Sequence, residues 1–219
     1  MKEVLKVITG SKLHRLDNEK SDTDYRGVFM ADIKDILSPF KTVKNTSWIE
    51  GDDDNTSYEL AAFCKMLTRG NPSALEVLWS DKVEFSSDVG DMLRLYRDKF
   101  LDTHNIFEAF RGYAHNQYKK MNLFEPDART PKFDVAYIRT LQQGVELLST
   151  GTFSPELKIN KELLLEVKID FNPHKHVPIL AELFSTLQKE IVDAYAKCEK
   201  KTADIEWIEG FLRDAYLLT

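Results

Sequence analysis

The spacing of hydrophobic residues changes near residue 60, from short β-rich runs to the three- and four-residue spacing of helices. Runs at 4–8 and 24–30 predict two strands, which the polar segment 12–20 connects. Residues 42–50 predict a third strand and residues 55–58 a fourth. These runs together predict a small mixed β-sheet.

After Tyr58 the hydrophobic spacing is helical, beginning with Leu60, Phe63, Cys64 and Leu67. Gly70-Asn71-Pro72 ends this first helix, and Pro72 opens the next, with Asn71 as its cap. A short strand is a further candidate near Leu157. The later helices are predicted at 73–79, 87–100, 103–121, 131–148, 161–170, 178–200 and 204–217.

Strands followed by helices predict an α+β fold, with a small mixed β-sheet core and a helical C-terminal bundle. We place the boundary near residue 100, so that residues 1–100 form the catalytic core and residues 101–219 the helical region. The apolar stripe of the last two predicted helices suits either a core or a self-association face.

The composition, charge and cysteine content of the chain limit the class of protein to which it can belong. The chain has 219 residues, 42% hydrophobic and 30% charged, which is typical of a folded globular protein. Its formal net charge of −6 argues against a broad basic surface for nucleic acid but permits a local basic groove. Cys64 and Cys198 suit free thiols rather than a disulfide framework. With no signal peptide and no apolar run of about 20 residues, we expect a cytoplasmic protein that does not bind membranes.

The most informative motif is Gly10-Ser11, followed by Ser21-Asp22-Thr23-Asp24. Carboxylates two residues apart in a strand point to the same face and can share divalent metal ions. The glycine lets the backbone approach a phosphate, whose oxygens the serine hydroxyl and nearby amides can bind. The motif therefore predicts a site for a metal-bound nucleoside triphosphate.

A third carboxylate comes from Asp52-Asp53-Asp54, placed where an adjoining strand would bring it to the first two. Three carboxylates suit two-metal phosphoryl or nucleotidyl transfer. An oxygen-only site without His or Cys favours Mg²⁺, with Mn²⁺ as a substitute, over zinc. The competing interpretation is a polar turn, and which of the three aspartates would be the ligand stays open.

With these residues assembled, the chain resembles predicted nucleotidyltransferases of the DNA polymerase beta superfamily, in the branch found beside RNA ligases in bacteria and phages. The resemblance extends over residues 7–151. The segments that carry it are Gly10-Ser11, 21–28, Asp54 with Tyr58-Glu59-Leu60, 70–79, 110–117 and 141–151.

The resemblance implies metal-dependent transfer of a nucleoside monophosphate, with Asp22, Asp24 and Asp54 as catalytic residues and metal ligands. The sequence departs from the superfamily in two places. Residues 12–20 lack the second glycine common after Gly-Ser, and 132–137 stands where relatives often show Lys-His and a further His. The first departure affects the phosphate contacts, and the second affects recognition of the acceptor.

Three further residues are candidate nucleotide contacts. Arg26 either reaches the triphosphate or pairs with a nearby carboxylate. On the helix predicted at 103–121, Arg111 is a candidate for phosphate contact and Tyr113 is a candidate for stacking on a nucleobase. Ordinary helix packing is the alternative for both. The helical spacing puts Arg111 and His115 on one face and Tyr113 and Gln117 on another. His174-Lys175-His176 is typical of an ordinary loop, and we assign it no role.

The sequence thus predicts an enzyme that moves a nucleoside monophosphate from a nucleoside triphosphate to a hydroxyl acceptor and releases pyrophosphate. An RNA end is one candidate acceptor, by analogy with the related branch. A non-catalytic nucleotide sensor or scaffold is the first alternative. The second is a toxin–antitoxin type nucleotidyltransferase that acts on a protein.

Overall fold

The computed structural model describes residues 1–19, 21–48, 55–123 and 130–218 of the chain. It confirms the α+β architecture, with strands in the first part of the chain and helices in the rest. The strands are β1 (Lys2–Thr9), β2 (Asp24–Met30), β3 (Thr46–Ser47), β4 (Thr56–Glu59) and β5 (Val83–Ser86).

These strands form one sheet in the order β3-β4-β2-β1-β5. The sequence predicted a small mixed sheet but not this strand order. Strands β2 and β4 run parallel, while the other neighbours are antiparallel. Strand β5 was not predicted: Val83-Glu84-Phe85-Ser86 alternates apolar and polar residues, but the run is only four residues long and lies largely exposed at the sheet edge. Within the described part of the 42–50 prediction, only Thr46–Ser47 is a strand.

The helices are α1 (Gly10–Leu13), α2 (Ile33–Ile36), α3 (Leu60–Thr68), α4 (Pro72–Trp79), α5 (Asp88–Leu95), α6 (Thr103–Leu123), α7 (Thr130–Thr150), α8 (Lys161–Ile169), α9 (Pro173–Lys197) and α10 (Ile205–Leu218). Asn71 caps α4 as predicted, since its side chain accepts a hydrogen bond from Ala74 N at 3.1 Å. None of the helices in the described part of the chain is long and apolar enough to cross a membrane.

Two predictions around α9 were wrong. The helix begins at Pro173 and not at Pro178, because Asn172 caps it and Pro178 is accommodated in its second turn. His174-Lys175-His176 is therefore the first turn of a helix and not a loop. His176 is fully buried, and its Nδ1 accepts a hydrogen bond from Asn172 N at 2.9 Å.

Two smaller predictions were also inaccurate. The helix predicted at 87–100 ends at Leu95, and a short 3₁₀ helix occupies Arg97–Phe100. No strand forms around Leu157, where every neighbouring residue is described. Instead, Leu157 is buried, and its amide approaches His14 O at 3.4 Å.

One hydrophobic cluster connects the sheet with the helices on both sides of residue 100. It includes Val7 and Val28 from the sheet, Leu75 from α4, and Phe110 and Ile138 from α6 and α7. The helices beyond residue 100 therefore pack directly on the strand-bearing part of the chain, although the boundary itself stays a prediction.

Candidate active site

A cavity of about 370 Å³ opens where the end of β1, the start of β2 and the later helices meet. The first part of the chain contributes Thr9, Gly10, Ser11, His14, Leu16, Asp24, Arg26, Ser73 and Glu76, and the helical part contributes Tyr113, Lys132, Val135, Ala136, Arg139 and Lys168. Of the eight candidate residues from the sequence, Gly10, Ser11, Asp24, Arg26 and Tyr113 line this cavity.

Gly10 and Asp24 are held against each other by the pairing of β1 with β2. Thr9 pairs with Asp24 in the register, and Gly10 then turns the chain into α1 with φ of +65°. A Cβ built on Gly10 would lie 2.0 Å from Asp24 Oδ2. Only glycine therefore allows both this backbone conformation and this approach of the carboxylate.

Asp22 lies outside the strand, and this corrects the expectation that both carboxylates project from one strand. Strand β2 begins at Asp24, while Asp22 is exposed and does not line the cavity. Thr23, between the two, accepts a hydrogen bond from Lys12 Nζ. The roles of Asp22 and Asp24 as metal ligands stay predictions.

The third predicted carboxylate, Asp54, lies outside the described residues, as do Asp52 and Asp53. The neighbouring pairing is described: Thr56, two residues after Asp54, pairs with Arg26, two residues after Asp24, in the parallel β2–β4 register. Asn55 Oδ1 also accepts a hydrogen bond from Tyr25 N at 2.8 Å. Within the described ranges, no group of three or more His, Cys, Asp or Glu side chains is arranged to hold a metal ion.

Cationic side chains from two later helices line the cavity together with Asp24. Lys132 and Arg139 come from α7, and Lys168 comes from α8. Lys168 Nζ donates to Leu16 O at 2.7 Å, which ties α8 to the segment after α1. Burial and the charge of Lys132 lower the pKa of Lys168. Such a cluster of cations suits a strongly anionic ligand.

Three side chains form a buried polar floor to the cavity. Arg139 Nη1 donates to Glu76 Oε1 and, at 3.1 Å, to Gln143 Oε1. Burial raises the pKa of the Glu76 carboxyl, but the Arg139 guanidinium, together with His14 and Arg26, lowers it below the usual value. Glu76 is thus an ionised carboxylate inside the protein, paired directly with the Arg139 guanidinium.

His14 lies between Glu76, in the buried polar floor, and Pro155, in the segment that follows α7. Its Nδ1 lies 2.8 Å from Pro155 O, so Nδ1 carries the proton and donates. Its Nε2 lies 3.6 Å from Glu76 Oε1. Burial, reinforced by Arg139, lowers the pKa of His14 to about 4, so the imidazole is neutral near pH 7.

The two predicted faces of α6 point into different cavities. Tyr113 lines the cavity that contains Asp24, whereas Arg111 and His115 line a second cavity. The Arg111 guanidinium lies 4.8 Å from the centre of the Phe107 ring. Stacking of Tyr113 on a nucleobase stays a prediction. For Arg111, the structure provides no shared cavity with Asp24.

The family model for the RNA repair pathway DNA polymerase beta family matches residues 1–214, nearly the whole chain. The chain belongs to this family. The resemblance seen in the sequence is therefore confirmed at the level of the family. The match extends through the cavity-lining residues of α7 and α8, well beyond residue 151.

Two proteins that are described as uncharacterised are similar to this chain. A protein of the archaeon Methanocaldococcus jannaschii, MJ0002, is 28% identical over 155 residues, covering 68% of this chain and 62% of its own length. A 38.9 kDa protein of enterobacteria phage T4, from the nrdC-mobD intergenic region, is 30% identical over 132 residues, covering 55% and 39%. The matches thus span less than two thirds of either relative.

Several lining residues of this family member were not candidates from the sequence, among them His14, Glu76, Arg139 and Lys168. His14 lies in a segment classed as polar, and Glu76, Arg139 and Lys168 lie in helices where isolated charges usually face solvent. Arg139 and Gln143 are four residues apart in α7, so both fall on one helix face. This spacing was the only local signal that they act together.

Proposed function

We propose that the protein is a metal-dependent nucleotidyltransferase that transfers a nucleoside monophosphate from a nucleoside triphosphate to a hydroxyl acceptor. The observation that carries the proposal is the approach of Asp24 to Gly10 in a cavity that also contains Lys132 and Lys168. A carboxylate can bind the divalent metal ion that accompanies a triphosphate, and the lysines can bind the phosphates themselves. Family membership supports the same reaction class.

In this proposal, Gly10 and Ser11 bind the β- and γ-phosphates through backbone amides and the serine hydroxyl. Arg26, Lys132 and Lys168 offset the charge of the triphosphate and of the departing pyrophosphate. Tyr113 lies across the cavity and stacks on the nucleobase. These contacts orient the α-phosphorus for attack, which supplies much of the rate by positioning alone.

The acceptor oxygen forms a bond to the α-phosphorus while the bond from that phosphorus to the bridging oxygen of pyrophosphate breaks. The acceptor proton passes to a carboxylate, for which Asp54 is the candidate. Asp22, Asp24 and Asp54 would hold Mg²⁺ or Mn²⁺, whose chemistry here is to neutralise phosphate charge and acidify the acceptor hydroxyl. All of these ligands are oxygens, and hard cations prefer oxygen.

The acceptor in this proposal is the end of an RNA strand. The family description, an RNA repair pathway, supports RNA over a protein or a small molecule. A protein acceptor would correspond to the toxin–antitoxin alternative, and absence of any transfer would correspond to a nucleotide sensor.

The test is to incubate the protein with Mg²⁺, each labelled nucleoside triphosphate in turn, and either RNA or proteins from a lysate. We expect label on RNA, pyrophosphate release, and loss of both with Asp24→Asn. Asp193→Asn is the matched control, because Asp193 is exposed on α9 and does not line the cavity. Full transfer by Asp24→Asn, or label on protein alone, would contradict the proposal.

A further inference from the structure

A second cavity, of about 490 Å³, lies on the other side of helices α6 and α7 from Asp24. Both helices contribute to both cavities: α6 directs Tyr113 to the first and Arg111 to the second, and α7 directs Ala136 to the first and Tyr137 to the second. The polar and aromatic residues of the second cavity are Glu108, Arg111, His115, Tyr118, Tyr137 and Gln188. None of the proposed chemistry uses this cavity.

One side of α6 carries aromatic and basic side chains, and three of them, Arg111, His115 and Tyr118, line this cavity. The residues are spaced three or four apart and so share one side of the helix: His104, Phe107, Arg111, His115 and Tyr118. Phe107 stacks on Tyr195 of α9 with ring centres 4.3 Å apart, and Arg111 covers Phe107. The Lys200 ammonium lies 3.4 Å from the centre of the Tyr195 ring.

The groups inside the cavity match the parts of a nucleotide. Tyr118 is 45% exposed and lies 6.2 Å from Tyr137, so part of its ring is open to a flat ligand. The Gln188 amide, which donates to Tyr137 Oη at 2.5 Å, and the Glu108 carboxylate offer acceptors for a base edge. The Arg111 guanidinium suits a phosphodiester.

We propose that this second cavity binds one unpaired nucleotide of a single-stranded RNA, beyond the end that reacts. The inference rests on the proposed function only in taking RNA as the acceptor. Other proteins bind single-stranded RNA by stacking its unpaired bases on aromatic rings or arginine side chains, with basic groups along the RNA backbone. The cavity is local, which is compatible with a net charge of −6 over the whole chain.

Single strands fit this geometry better than duplexes. A base held in a duplex cannot enter a cavity bounded by α6, α7 and α9 without leaving its stack. Because α6 and α7 line both cavities, one RNA strand could contact the second cavity while its end reaches the first. Helices α6 and α7, which lie between the two cavities, would then direct the end of the RNA strand towards Asp24.

The experiment measures binding of a labelled single-stranded 12-nucleotide RNA of mixed sequence by fluorescence anisotropy, without nucleoside triphosphate or metal. Arg111→Ala and Tyr118→Ala should each weaken binding about tenfold, and Tyr118→Phe should restore it. Arg111→Ala should also reduce the slope of log K against log salt by about 0.7. Arg213→Ala, an exposed arginine on α10 outside both cavities, is the charge-matched control and should bind as the wild type does.

Several outcomes would overturn the inference: no RNA binding by the wild type, equal binding by all variants, or equal preference for duplex RNA. Circular dichroism and thermal melting of the variants establish that weakened binding is not unfolding. Asp24→Asn separates this inference from the proposed function, because that variant should keep full RNA binding. RNA binding through Arg111 without any nucleotidyl transfer would leave the inference standing and refute the enzyme.

Discussion

Replacing Arg139 with methionine should destabilise the protein strongly, because it leaves the buried Glu76 carboxylate without its guanidinium. The two side chains are only 11% and 12% exposed, so water cannot take over the role of Arg139. Removing one partner of a buried ion pair typically costs about 3–5 kcal/mol. For a chain of this size, this loss corresponds to a decrease in melting temperature of roughly 6–20 °C.

The pH dependence identifies the cause. In the wild type the pKa of Glu76 lies below its ordinary value of 4.5, so the pair contributes stability above that pH and loses it as pH falls. In Arg139→Met, the strongest of the interactions that lower the pKa of Glu76 is lost, and burial raises that pKa. Above pH 4.5, Glu76 then ionises readily in the unfolded state but not in the folded state. The variant therefore becomes less stable as pH rises. The difference from wild type should be largest near pH 8 and shrink towards pH 5.

The assay is urea unfolding of the wild type, Arg139→Met, Glu76→Gln and the double variant at pH 8 and pH 5. The double variant should recover part of the loss, since no unpaired charge stays buried. A loss below about 1 kcal/mol for Arg139→Met, or the same loss at both pH values, would refute the reasoning. Lys158→Met, which breaks the exposed pair with Glu146, is the control and should cost at most about 1 kcal/mol.

Two further predictions concern α1 and its surroundings. Because the pKa of His14 is lowered to about 4, the unfolded state binds more protons between about pH 4 and 6.5, so stability should rise with pH across this window by up to about 3 kcal/mol. Urea unfolding of His14→Asn should lack that rise, and an unchanged profile would exclude His14 as its source. Gly10→Ala should abolish nucleotide binding in calorimetry and cost about 1–3 kcal/mol, because of the positive φ and the approach of Asp24. Gly210→Ala, where a Cβ meets nothing within 4 Å, should leave nucleotide binding intact, and equal binding by both variants would contradict the assignment of Gly10.

The candidate site was accessible from the sequence where its geometry is local. Gly10 and Asp24 lie at the facing ends of two strands joined by a short segment, so the motif itself brings them together. Tyr113 and Arg111 were separated onto two faces by helical periodicity, which the cavities of the structure reflect. The placement of Asp22 in the strand was wrong, because a spacing of two residues does not establish that both residues belong to the strand.

The sequence by itself determined the family, the mixed sheet, most of the helices and the Gly10–Asp24 half of the candidate site, because strand and helix periods and turn residues act over a few positions. Only the tertiary structure decided the buried polar floor of the cavity and its cluster of cations, Lys132, Arg139 and Lys168. Glu76 meets Arg139 across 63 residues, and His14 meets Pro155 across 141. A charged residue in an amphipathic helix has the same local pattern whether it faces solvent or a buried partner, so only packing distinguishes the two.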